Sequence, residues 1–159
     1  MKLKINKKAP NFKLPSTNNS IFDLSKSDIK KNIILYFYPK DDTPGCTLES
    51  KDFNKLNSLI KKNNTVVIGV SKDSIESHNQ FKKKYKLKFE LLSDEKLNVI
   101  KKYGVWGKKS FLGKKYMGII RTTFLINSKR KIHKIWSNVR VKDHAKEVLK
   151  ELKILNKKN

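Results

Sequence analysis

The thiol of Cys46 is the one cysteine side chain among 159 residues. A single cysteine cannot close an internal disulfide or build a multi-cysteine metal site. Lone cysteines are most often inert core filler or chance surface residues, so the neighbours must decide. Thr43-Pro44 directly upstream reads as a helix start, with a hydroxyl residue at N-cap and proline at the first helical position. Gly45 then falls at N2 and Cys46 at N3. Amides of a first helical turn have no acceptor within the helix and point toward its N-terminal end. Together with the helix macrodipole they favour a thiolate over a thiol. Gly45 has no side chain and lets a small substrate approach the backbone. A turn and cap without chemistry is the competing reading of the same residues. Two roles stay open for Thr43, whose hydroxyl can cap the Cys46 amide or face the sulfur and substrate.

Such a cysteine needs elements that hold it in place. Ile33-Ile34-Leu35-Tyr36-Phe37-Tyr38, stopped by Pro39, is an unbroken apolar run suited to a strand covered on both faces. Cys46 follows its carboxyl end, where open α/β sheets place their ligands. The helix opened by Thr43-Pro44 carries Phe53, Leu56, Leu59 and Ile60 on one face and ends at Asn63-Asn64. A second buried strand, Val66-Val67-Ile68-Gly69-Val70, precedes a helix with Ile75, Phe81 and Tyr85 inward. Asp73 and Glu76 are spaced as a capping box for that helix. Phe89-Glu90-Leu91-Leu92 reads as a short strand, followed by a helix carrying Leu97, Ile100 and Tyr103, with Gly104 at C′.

Near the start, Phe12-Lys13-Leu14-Pro15 and Ser20-Ile21-Phe22-Asp23-Leu24 flank a polar turn and predict a β-hairpin. Thr123-Phe124-Leu125-Ile126 and Lys131-Ile132-His133-Lys134-Ile135-Trp136 predict another. A last helix places Ala145, Val148, Leu149, Leu152 and Leu155 on one stripe. This order predicts one α/β domain over residues 1–159, a central mixed sheet flanked by helices with an N-terminal β-hairpin, compatible with a thioredoxin-like fold. No Gly/Ser/Pro linker or internal repeat divides it.

Net charge is +24, with 38 lysines and arginines against 14 acidic residues. That invites a nucleic-acid reading. Arginine, the residue suited to bidentate grip on bases and phosphates, occurs only at Arg121, Arg130 and Arg140. Lysine is spread over nearly every segment beside abundant asparagine and isoleucine, which points to codon bias and not to a selected nucleic-acid surface. No apolar stretch approaches the roughly 20 residues that span a bilayer. Met1-Lys2-Leu3-Lys4-Ile5-Asn6 has no apolar core of a secretory signal, so the expected compartment is the cytoplasm. His78, His133 and His144 fall on separate elements without metal-ligand spacing. No metal or cofactor is expected.

Pro39-Lys40-Asp41-Asp42-Thr43-Pro44-Gly45-Cys46 matches the Pro-x-x-x-Thr-x-x-Cys pattern of peroxiredoxins. With Tyr36-Phe37-Tyr38, Thr47 and Glu49 it resembles the bacterioferritin comigratory protein (PrxQ) branch. Leu92-Ser93-Asp94, Gly104-Val105-Trp106-Gly107, Lys109-Ser110-Phe111-Leu112-Gly113-Lys114 and Gly118-Ile119-Ile120-Arg121 through Ile126 resemble it too. The similarity covers residues 8 to 155. It implies a thioredoxin fold and a peroxidase that reduces hydrogen peroxide and organic hydroperoxides. Cys46 corresponds to the peroxidatic nucleophile, and Thr43 to the residue bonding sulfur and peroxide. Pro39 corresponds to the pocket wall that shields the sulfenic acid, and Arg121 to the guanidinium beside thiolate and O–O bond. The Gly45 and Cys46 amides would share the developing charge. Glu49 could pair with Arg121 or simply favour the helix N-terminus.

Many relatives carry a resolving cysteine five residues after the first; here that position is Lys51. The sulfenic acid must then be resolved by an external thiol, with thioredoxin or glutathione with glutaredoxin as candidates ahead of an intermolecular Cys46–Cys46 disulfide, which would trap the enzyme. A monomer without specific nucleic-acid or membrane partners is expected. The alternative is a lysine-rich nucleic-acid-binding or protective protein with no peroxidase activity.

Overall fold

The computed structural model describes residues 3–26 and 30–157. Met1 and Lys2 of the N-terminal segment and the last two residues of the expected domain lie outside them. The expected apolar run forms β3 (Asn32–Phe37), buried at every position after the short hairpin β1 (Lys13–Pro15) and β2 (Ile21–Asp23). Side chains alternate across a strand. Ile33, Leu35 and Phe37 accordingly enter one core, while Ile34, Tyr36 and Tyr38 enter the other.

Residues Pro44–Lys55 form α1 and Asn57–Lys62 form α2. They are followed by β4 (Thr65–Ser71), α3 (Ile75–Tyr85), β5 (Glu90–Ser93) and α4 (Asn98–Lys102). A hairpin of β6 (Trp106–Phe111) and β7 (Lys114–Ile119) precedes β8 (Thr122–Ile126), β9 (Ile132–Trp136) and α5 (His144–Lys157). The central sheet has order β5-β4-β3-β8-β9. β4 lies parallel to β3 and β5, whereas β8 is antiparallel to β3 and β9. This is the thioredoxin-like α/β architecture, with its most apolar strand in the middle. One core is closed by α4 and the N-terminal hairpin, the other by α1, α2, α3 and α5.

Four local expectations are corrected. The single helix expected after Thr43 is broken at Leu56 (φ −92°, ψ 0°), which leaves Phe53 and Ile60 buried but Leu59 in solvent. Asp73 does not cap α3; Ser74 is the N-cap and its Oγ accepts from Ser77 N at 3.1 Å. The Asp73 carboxylate is engaged instead by the Asp41 amide (2.8 Å) and the Ser71 hydroxyl (2.6 Å). Third, β6 and β7 add two strands beyond the expected set, because their lysine-rich sequence lacks the apolar alternation that marks a half-buried sheet. The helix expected to carry Leu97, Ile100 and Tyr103 is shorter than the pattern suggests, with Leu97 as a left-handed N-cap (φ +65°) and Tyr103 as C-cap, while Gly104 takes the expected C′ position with φ +72°.

Gly69 on β4 is a packing requirement. A Cβ there would lie 2.8 Å from Leu91 Cδ2 and 2.9 Å from Tyr36 Cζ. Gly69→Ala is therefore expected to destabilise the fold by about 1–3 kcal/mol, the usual range for overpacking a core. Urea denaturation of the two proteins measures it.

Candidate active site

β3 delivers the chain to the site from one side and β8 from the other. Phe37, the last residue of β3, pairs with Thr122, the first of β8. Arg121 thus lies one residue beyond the pair, at the end from which the chain leaves toward Cys46. Thr43 is the N-cap of α1 (φ −94°, ψ 155°) with proline next, so Cys46 is at N3 as expected. Its side chain is 1% exposed.

Arg121 connects two groups on α1. Its Nη2 donates to Cys46 Sγ at 3.4 Å, and its Nη1 donates to Glu49 Oε1 at 2.7 Å. Residues three apart share one side of a helix, which is why one guanidinium reaches both. A Cβ on Gly45 would sit 3.2 Å from Arg121 Nη2, so the glycine also makes room for the arginine. Of the two roles open to Glu49, pairing with Arg121 is the one observed.

Burial raises the Glu49 carboxyl from 4.5 to about 7, against the opposing pull of Arg121. Its Oε2 is buried without a hydrogen-bond partner among the described residues. Burial opposes the Arg121 charge, but Glu49 and Cys46 outweigh it and hold the guanidinium above its ordinary value. A buried pair of this kind brings little net stability against desolvation, while removing one partner leaves a charge uncompensated.

Thr43 makes no side-chain cap of the helix. Its hydroxyl donates to the Lys40 carbonyl at 2.9 Å. The capping alternative is thereby removed, and the hydroxyl oxygen keeps its lone pairs for accepting a hydrogen bond. Pro39 is half-buried in the bend after β3.

The loop between β3 and α1 is held by groups that sequence reasoning did not connect. The Asp41 carboxylate receives the Tyr38 hydroxyl (2.5 Å) and the Ser77 hydroxyl (2.8 Å), and lies 2.7 Å from His78 Nδ1. His78 Nε2 lies 2.8 Å from the Leu92 carbonyl, which can only accept, so that nitrogen carries a proton. Asp41, Asp73 and His78 bring possible metal-ligand atoms together, but they spend them on one another and on the loop. Next door, Asp42 takes the left-handed conformation (φ +58°) and accepts from Lys84 (2.7 Å) and Tyr85 (2.6 Å). The only sequence signal for this network was two aspartates inside the Pro39 to Thr43 interval.

The other histidines stand apart. His144 bonds the Thr123 hydroxyl at 2.8 Å, and burial, aided by Arg121, pushes it down to about 4. His133 pairs with Glu151 at 3.0 Å. A cleft of about 390 Å³ lined by Lys108, Lys109, Ile120 and Asn138 reaches Arg121. A cavity of about 670 Å³ between the N-terminal hairpin and β4 touches none of the site residues.

The AhpC/TSA family model matches residues 5–135. Peroxiredoxin Bcp of Bacillus subtilis is 44% identical over 99% of this chain and 100% of its own length. A structure of a cysteine-to-serine variant of Xylella fastidiosa PrxQ superposes with TM-score 0.89 at 35% identity, covering 97% of this chain and 98% of that one. The Xanthomonas campestris bacterioferritin comigratory protein, described for its alkyl peroxide reduction, gives TM-score 0.85 at 34% identity over 91% and 92% of the two chains. The chain belongs to the peroxiredoxins of the AhpC/TSA family, in the Bcp/PrxQ branch. As a peroxiredoxin it is a thiol-dependent peroxidase, with a hydroperoxide as substrate and a thiol as reductant. The alternative of a lysine-rich nucleic-acid binder without peroxidase activity gives way to that membership. With one cysteine it fits the 1-Cys type among peroxiredoxins. Lys51, at the usual resolving position, sets its Nζ 5.9 Å from the centre of the Tyr85 ring.

Glu49 leaves a pH signature. Between about 4.5 and 7 the folded peroxiredoxin keeps a proton that the unfolded chain has released. That contribution is present at low pH and is lost as pH rises through the window, levelling off above 7. Glu49→Gln is expected to remove this part of the slope, read by comparing denaturation midpoints of both proteins at pH 5 and pH 7.5. Equal slopes would show that Glu49 does not titrate there.

Proposed function

We propose that Cys46 is the peroxidatic nucleophile and that Arg121, Thr43, Pro39 and Gly45 complete the site. The observation that carries this reading is Arg121 Nη2 at 3.4 Å from Sγ, with the same guanidinium tied to buried Glu49. The thiolate attacks the terminal oxygen of the hydroperoxide, and the S–O bond forms as the O–O bond breaks. The electron pair leaves on the other oxygen, which takes a proton and departs as alcohol or water. Sulfur is oxidised to the sulfenic acid while the peroxide is reduced.

Arg121 and the Gly45 and Cys46 amides stabilise the charge that spreads over sulfur and both oxygens. Thr43, donating to Lys40, accepts a hydrogen bond from the peroxide proton and orients it. Pro39 walls the pocket and limits further oxidation of the sulfur. Hydrogen peroxide and organic hydroperoxides are the proposed substrates, the latter supported by the alkyl peroxide activity of the Xanthomonas campestris relative.

An external thiol then attacks the sulfenic sulfur, releasing water and leaving a mixed disulfide, which a second thiol reduces. Thioredoxin, or glutathione with glutaredoxin, is the proposed reductant. Because Cys46 is buried, the groups that cover it must move aside for that attack. The chain is proposed to act as a single-domain monomer in the cytoplasm.

Mass spectrometry after one equivalent of peroxide tests the assignment. Wild type is expected to gain one oxygen atom at Cys46 and to lose it on addition of the correct thiol. Cys46→Ser is expected to consume no peroxide, and retained consumption would refute the nucleophile. Arg121→Lys keeps the charge but loses the forked geometry, and is expected to lower kcat/KM by about 10²–10³-fold.

A further inference from the structure

The β6–β7 hairpin carries a feature that peroxide reduction does not use. Phe111 pairs with Lys114, so the strands are joined by a two-residue turn, Leu112-Gly113. Both turn residues have positive φ, +50° and +79°. Tight turns of that kind select asparagine, aspartate or glycine. A leucine in this conformation is strained, and Leu112, 88% exposed, recovers none of that cost by packing. Phe111 beside it is 66% exposed, and Tyr116 and Met117 on β7 are exposed as well. An outlying conformation that places a bare leucine at an apex is where an external contact is expected.

Charge is arranged around that apex. Lys108, Lys114 and Lys115 are exposed along the same two strands and pair with no carboxylate among the described residues. Between residues 96 and 142 the sequence contains no aspartate or glutamate. The result is an apolar tip backed by a lysine collar within an acid-free region. At a bilayer surface the tip would reach acyl depth while the lysines remain at the level of the phosphates, their stems extended along the apolar surface. A second copy of this chain is a poor occupant, since two molecules of charge +24 repel each other.

We propose that the Phe111-Leu112 tip of the β6–β7 hairpin docks this protein on anionic lipid surfaces. Lys109 Nζ donates to the Ile119 carbonyl at 2.8 Å, and Ile120 N donates to the Val105 carbonyl at 2.7 Å, so the hairpin base leads directly into Arg121. The cleft that reaches Arg121 is lined in part by Lys108, Lys109 and Ser110 of the same hairpin. Docking therefore presents that cleft to hydroperoxides carried on acyl chains, a consequence that rests on the peroxidase roles proposed above. This attachment lies on the membrane without crossing it. Among the described residues no helix is long and apolar enough to span a bilayer. It would replace the expectation of no membrane partner.

Sedimentation of the full-length protein with vesicles at physiological ionic strength tests the docking. Wild type is expected to bind phosphatidylglycerol/phosphatidylcholine vesicles, and Phe111→Ser with Leu112→Asn to bind at least about tenfold more weakly. Asparagine suits the left-handed turn, so Leu112→Asn alone should melt no lower than wild type, which separates lost contact from lost fold. Undiminished binding by the double variant would overturn the proposal, leaving adsorption by lysines alone. Absence of wild-type binding would also overturn it. An equal, tip-dependent loss on poly-glutamate would assign the tip to an acidic protein and reject the lipid. Phospholipid hydroperoxide in the vesicles should be consumed more slowly by the double variant, with hydrogen peroxide consumed at the wild-type rate. Absence of both activities from wild type would refute the catalytic roles while the sedimentation result still decides the docking.

Discussion

Much of the site depends on one part-buried guanidinium held between a buried carboxylate and a sulfur. Arg121 can satisfy Glu49 and Cys46 together only if both lie on the same side of α1 and face the end of β8. That requires β3 to end where β8 begins, and α1 to start a few residues later. Moving any of the three elements by one residue would leave Glu49 buried without its cation, which is costly in a low-dielectric interior. The central sheet and the reactive group are in this sense one constraint. Burial still raises the Glu49 carboxyl to about 7 with Arg121 beside it, so desolvation outweighs the pull of the ion pair.

Around this core the chain spends further polar groups on the approach to α1. Tyr38, Ser77 and His78 converge on Asp41, and the Asp41 amide is held by Asp73. These bonds come from the residue after β3, from α3 and from the loop after β4, so three separate segments fix the loop entering the helix. Buried polar networks of this type specify one geometry when every member is satisfied. The first turn of α1 thus begins from a defined position even though Thr43 supplies no side-chain cap.

A peroxiredoxin with one cysteine has to combine a shielded sulfur with access for a second molecule. Cys46 is buried against the second core, and the cleft near it opens beside Arg121 between the β6–β7 hairpin and the loop carrying Asn138 and Val139. The hairpin stands outside the central sheet and pairs only with itself. It can therefore vary its tip without disturbing the strands that set the site, which is the usual division between scaffold and loop.

Local pattern along the chain is enough for the features that short-range chemistry controls. Alternation and apolar runs placed β3, β4, β8, β9 and the stripe of α5, and Thr43-Pro44 placed Cys46 at N3. The motif around Cys46 and the absence of a second cysteine were equally legible, and they carried the family and its 1-Cys type. Contacts between residues far apart in the chain arise only in the folded molecule. The fold chose Arg121 as the partner of Glu49, gave the Thr43 hydroxyl to Lys40, broke the helix at Leu56, and took Asp73 from its expected cap to hold Asp41. Capping and pairing are competitions for the same donors and acceptors. A local pattern names the competitors, but the winner is set by which groups the fold brings within about 3 Å in a dry interior.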